Sequence, residues 1–288
     1  MNGSVKTTPS PVIVVSVFLA LVAVFYFAGI WLVFRLSSAT PLMLSVGLAA
    51  IATCLLTRRD LRALGWHWSS WKIQWLSYVL PLCYAALAYG VIWVVGFANW
   101  YDVGFVQEMK ENYNLAGWSD VGVIGLHFLL TATISFLLLL PSVLGEELGW
   151  RGLLVPELSK LMSFTGVALV SGLLWAVWHW PLIFMGLYGA AEATPFLYQL
   201  ALFTLCIMSM SAVITYFRFK SDSLWPAVVF HMSHNVFLQK FFGPMTLERD
   251  NSAWFLGEFG FVVPTILLVL AIYYGKKGRG EFGARKKT

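Results

Sequence analysis

The sequence predicts an all-α fold, a polytopic bundle of about eight transmembrane helices with both termini on the cytoplasmic side. Three observations predict it. Of 288 residues, 59% are hydrophobic and only 11% are charged, where a soluble domain carries about 25% charged residues. Eight apolar runs approach the roughly 20 residues that a helix needs to cross about 30 Å of hydrocarbon. The Lys and Arg residues gather on one side of those runs, as the positive-inside rule requires.

The runs are 11–34, 40–57, 74–98, 121–145, 164–185, 196–217, 223–241 and 258–275. The first follows a single lysine, Lys6. It is too long for a signal-peptide core and lacks a small-x-small cleavage site, so it reads as a retained span. The second and seventh are short or interrupted. The longest connections are 58–73 and 99–120, and the basic stretch 276–288 reads as a mobile tail. No internal repeat or separate soluble domain is evident. With 14 Trp, 11 Tyr and 22 Phe, the chain can supply the aromatic belts found at bilayer interfaces. Cys54, Cys83 and Cys206 lie in apolar runs without metal-ligand spacing and read as small buried hydrophobes.

With eight spans and the N-terminus inside, 15 of the 19 Lys and Arg are cytoplasmic, and only Arg35, Lys110, Lys240 and Arg249 are outside. The same count explains the pI of about 9.1 without nucleic acid, because basic residues beside spans meet anionic headgroups. Trp66, Trp68 and Trp71 beside Arg58, Arg59 and Arg62 read as a segment lying on the inner leaflet.

Ionisable groups inside a span cost roughly 2.5–3.5 kcal/mol each on insertion scales and usually mark function. Here they are concentrated in spans four, five and seven: Glu146 and Glu147, His179, and His231 and His234 with Asn235 beside them, while His127 in span four stands apart. Pro141 and Gly145 loosen the helix before the acidic pair. Glu147 and Arg151 stand at i and i+4 and share a helix face, whereas Glu146 lies about 100° around the helix. One carboxylate is therefore tied to arginine and the other is left free. A carboxylate held out of water is a stronger base, as activation of water requires. Pro181 removes a helix hydrogen bond two residues after His179. His231 and Asn235 form one donor face, suited to an oxyanion. Read as metal ligands instead, Glu146, His179 and His231 could hold zinc with one position open. His127 is about five turns from Glu146 and is left out of the site. His234 reads as a packing residue behind it. Water must reach the site, which implies a cavity open toward the cytoplasm.

Glu146-Glu147-x-x-x-Arg151, an aromatic four residues before His179, and His231-x-x-x-Asn235 resemble the CAAX prenyl endopeptidase and bacteriocin-processing family (CPBP, or Abi) of intramembrane proteases. The resemblance covers roughly 120–240. The second motif departs from the family's Phe-x-x-x-His, with Trp175 in place of phenylalanine; the exchange bears on pocket shape more than on chemistry. The resemblance implies an endopeptidase in which Glu146 and His179 activate water, His231 and Asn235 stabilise the oxyanion, and Glu147 and Arg151 support them. It implies a catalytic core at 121–241, preceded by three spans in 1–120 and followed by a last span and basic tail in 242–288. The reaction is placed near the cytoplasmic membrane face of a prokaryotic cell membrane, with no metal required and zinc as the alternative. Expected partners are membrane lipids and a peptide or protein substrate, prenylated or not, and no nucleic acid. The competing readings are a non-catalytic immunity or scaffold protein and a proton-coupled transporter. The latter lacks the matching broken segments of an inverted repeat.

Overall fold

A computed structural model of the chain describes residues 9–189 and 193–283. Lys6 and the tail residues Arg285, Lys286 and Lys287 lie outside the described residues. All eight apolar runs are helical. They are α1 (Pro11–Leu36), α2 (Thr40–Thr57), α3 (Trp71–Val95), the helices from Asp120 to Ser159, α9 (Phe164–Phe184), α10 (Phe196–Ser221), α11 (Trp225–Val236) and α12 (Val262–Phe282). The 99–120 connection also contains a short helix, α4 (Val103–Asn112).

Among the described residues, six helical stretches are long and apolar enough to cross a membrane: α1, α2, α3, Asp120–Leu138, α9 and α10. The seventh and eighth expected spans are less regular. Helix α11 has 12 residues and continues as a six-residue π-helical turn, Phe237–Phe242. Helix α12 carries Lys276, Lys277, Arg279 and Glu281 in its last two turns. The basic stretch read as a mobile tail is helical to Phe282, because Lys220 and Tyr216 donate to Glu281 at 2.7 and 3.0 Å.

The segment that carries the acidic pair is a chain of short pieces. It runs through α5 (Asp120–Leu130), a π turn at Thr131–Ser135, α6 (Phe136–Leu138), α7 (Leu140–Glu147), a second π turn at Leu148–Leu154, and α8 (Val155–Ser159). Pro141 follows the break at Leu139, as a residue without an amide hydrogen demands. The second π turn begins directly after Glu147; such turns widen the helix and are frequent at functional sites.

Close backbone contact sets the depth of this segment. A Cβ on Gly47 of α2 would lie 2.7 Å from the Gly145 carbonyl oxygen, and one on Gly145 would lie 2.8 Å from Leu44 Cα. Small residues give helices in lipid this approach, and Glu146 is thereby held one residue from a fixed crossing point.

The bundle has two distinct ends. At one, Arg59 after α2 bridges to Glu157 of α8, Leu224 donates to the Gly65 carbonyl and Trp225 Nε1 donates to the Trp66 carbonyl. The start of α9 meets the end of α10 through Phe164 and Phe219. At the other end, Asn99 and Leu247 exchange backbone hydrogen bonds, Lys110 pairs with Asp120, and Tyr198 of α10 donates to the Trp254 carbonyl. Helix α10 packs against α9, α11 and α12 and forms the centre between these ends.

Candidate active site

Three helices bring the polar residues of the spans to one cavity. Glu146 from α7, His179 from α9, and His231 and Asn235 from α11 all line a space of about 310 Å³. Glu146 and His231 are buried and Asn235 is half-buried.

The two adjacent carboxylates have different partners. Glu147 is fully buried; its Oε1 accepts from Arg151 Nη1 at 3.0 Å and lies 2.9 Å from His231 Nδ1. The arginine pairing is the one that i, i+4 spacing predicts, whereas the histidine is brought in by tertiary packing. Arg151 also stacks its guanidinium 4.0 Å from the ring centroid of Trp175, a cation–π contact. Its carbonyl accepts from Arg218 Nε at 3.0 Å.

Glu146 takes no part in that cluster. Its Oε2 accepts a 2.7 Å hydrogen bond from the indole nitrogen of Trp175, and the residue faces the cavity. Trp175 is the residue that departs from the second motif. Its indole N–H donates to Glu146, a contact that phenylalanine could not make.

The two histidines are oriented by their Nδ1 atoms. His179 Nδ1 lies 2.9 Å from the Trp175 carbonyl. A carbonyl only accepts, so Nδ1 carries the proton and Nε2 keeps its lone pair. His231 Nδ1 meets Glu147, an acceptor as a carboxylate, which leaves His231 Nε2 as its second functional atom.

His234, read as packing, belongs to a further network. Its Nε2 lies 2.7 Å from Glu258 Oε1 and its Nδ1 is hydrogen-bonded to Tyr84. Tyr188 donates to Glu258 Oε2, as does Gln239 Nε2 at 3.3 Å. Glu258 and Tyr188 also line the cavity. Neither was identified from the sequence, although Glu258 stands alone between apolar residues in Trp254–Phe261, a signal of the same kind as the acidic pair. His127 bonds to Tyr113 and to the Lys240 carbonyl and does not itself line the cavity.

Zinc is not matched by the donor arrangement. Among the described residues, no three His, Cys, Asp or Glu side chains are grouped so as to hold an ion.

Residues 123–237 match the family described as Type II CAAX prenyl endopeptidase Rce1-like. This stretch is Rce1-like. It contains all three motifs, and the expected resemblance is borne out there. The chain is also similar to CAAX prenyl protease 2 of Methanococcus maripaludis, at 33% identity over 105 residues. That alignment covers 36% of this chain and 38% of the relative. Together with six apolar helices of spanning length, the Rce1-like stretch marks an integral multi-pass membrane protein. Glu258, Tyr84 and Gln239 lie outside the matched residues.

Proposed function

We propose that the chain is an intramembrane endopeptidase that hydrolyses a peptide bond with water activated by Glu146 and His179. The observation that carries this reading is the shared cavity. One free carboxylate, one oriented imidazole and a two-residue donor face converge there from three helices, as amide hydrolysis requires. The Rce1-like match and the archaeal relative's name support the same reaction class.

In this reading Glu146 takes a proton from water while His179 Nε2, the lone-pair nitrogen, holds the water by its other hydrogen. The oxygen attacks the scissile carbonyl carbon. The developing oxyanion receives hydrogen bonds from the Asn235 amide and from His231 Nε2. A histidine that donates from both nitrogens is positively charged, and Glu147, against Nδ1, stabilises that form as the triad carboxylate does in serine proteases. Glu146 then returns its proton to the leaving amine and the carbon–nitrogen bond breaks. Arg151 holds Glu147 in place.

Proteomics of membranes carrying the wild-type chain against Glu146→Gln tests the reading. A shortened peptide or terminus present only with the wild type is expected. With such a substrate in hand, Glu146→Gln should lower the rate by at least about 10²-fold, the general-base contribution. A rate equal to wild type would end the proposal. The mechanism needs no metal, so activity should survive prolonged chelation. Loss on chelation with recovery on adding zinc would replace it by a metal mechanism.

A further inference from the structure

Helix α10 packs against both α9 and α12, and the three helices border a groove of about 340 Å³ that shares no lining residue with the catalytic cavity. Ala168 and Leu169 of α9, Met208 and Ala212 of α10, and Leu268 and Ile272 of α12 line it. Leu169, Leu268 and Ile272 are exposed, so the groove opens sideways, toward lipid. At one end α9 and α12 close it: a Cβ on Gly278 would lie 2.3 Å from the Phe164 ring, and Phe164 packs on Phe282. At Gly275, within the groove, an added Cβ would meet no atom within 4 Å.

The closed end is basic, and its cations are of two kinds. Lys220 pairs with Glu281, Lys160 pairs with Glu157, and Lys277 lies 5.4 Å from the centroid of the Tyr216 ring. Lys276 and Arg279 are exposed, line the groove, and have no side-chain hydrogen bond or ion pair among the described residues. Glu281, the acid next along the helix, is already taken by Lys220 and Tyr216. Leu268, Ile272, Gly275, Lys276 and Arg279 are spaced i, i+4, i+7, i+8 and i+11, so one stripe of α12 passes from apolar to basic. At 1.5 Å per residue the stripe is about 16 Å long, close to half of the roughly 30 Å hydrocarbon layer. Positive charge beside span ends is retained in the cytoplasm, which puts the basic end at the inner leaflet.

We propose that this groove binds an anionic phospholipid of the inner leaflet, with one acyl chain along the groove and the phosphate against Lys276 and Arg279. An arginine fork grips two phosphate oxygens and a lysine ammonium adds a point charge. A zwitterionic lipid would bring its own amine to the same two cations and is disfavoured. Basic pockets between transmembrane helices on the cytoplasmic side hold lipid headgroups in this way. Helix α12 lies outside the Rce1-like stretch, and the proposal does not depend on proteolysis.

Native mass spectrometry of the full chain in neutral detergent, with phosphatidylglycerol and phosphatidylcholine added in equal amounts, reads the site. The wild type should retain one phosphatidylglycerol, at least about tenfold in preference to phosphatidylcholine, as two cations beside a headgroup provide. Lys276→Gln with Arg279→Gln should abolish that preference. Arg62→Gln with Lys72→Gln, the same charge change elsewhere on the inner face, should keep it. Gly275→Leu fills the groove and should lose both lipids. Equal retention of the two lipids by the wild type would overturn the proposal, as would an equal loss of preference in both double variants. Wild-type retention of phosphatidylglycerol by Gly275→Leu would overturn it too. So would a wild-type dimer that Gly275→Leu converts to monomer with no dependence on lipid, because the groove would then be an interface between copies. A thermal unfolding transition identifies each variant as folded, and Ala271→Leu replaces Gly275→Leu if that transition is lost. Lipid retention requires no turnover, so the outcome for Glu146→Gln bears on the proteolytic reading alone.

Discussion

The packed layer behind the site and the cavity in front of it use the same residue types for opposite purposes. In the packed layer, Glu147 and Arg151 are fully buried and bonded to each other, and Arg151 lies between the Trp175 ring and Arg218. Facing the cavity instead, Glu146, one residue away, is bonded to one indole N–H. A hydrolytic site needs both conditions together. One carboxylate must hold a histidine still without water, and the other must meet water and a peptide.

The difference can be broken most severely in the packed layer. Arg151→Met removes one partner of a buried pair and leaves Glu147 with His231 as its remaining partner, at a cost of about 3–5 kcal/mol. The unfolding midpoint in detergent should fall sharply. A midpoint equal to wild type would mean that the pair carries little of the fold.

On the cavity side, Asn235→Ala removes one oxyanion donor from a half-buried position while leaving the packed layer intact. The rate should drop about 10²–10³-fold, with little change in unfolding. A variant that loses stability instead would move Asn235 from the chemistry to the packing.

The smallest of the three effects lies at the boundary between layer and cavity, where Trp175 touches both. Trp175→Phe keeps a ring for Arg151 but removes the hydrogen bond to Glu146. A bond to a charged group is worth about 1.5–3 kcal/mol, so kcat should fall about ten- to a hundredfold while folding is retained. An unchanged kcat would show that the indole N–H is incidental and that the motif's aromatic serves shape alone.

Legibility in the sequence followed the range of each interaction. The eight apolar runs became helical segments because hydropathy and length are local properties. Glu147 and Arg151 were readable as partners because four residues of helix place them on one face. Glu258 was overlooked as a site residue because the loop that returns it to the cavity has no periodicity. Trp175 was placed four residues from His179, but its contact with Glu146 depends on how α7 and α9 rotate against each other.

The amino-acid sequence by itself determined a polytopic helical membrane protein, the positions of its helices, the division between a paired and a free glutamate, and the charge asymmetry between its faces. Each follows from spacing or composition along one chain segment. Only the tertiary structure decided that His231 docks on Glu147, that Trp175 donates to Glu146, and that Glu258 and Tyr188 join the cavity. These depend on the depth and rotation of helices against one another, set by contacts such as Gly47 on Gly145, to which hydropathy along a single segment is blind.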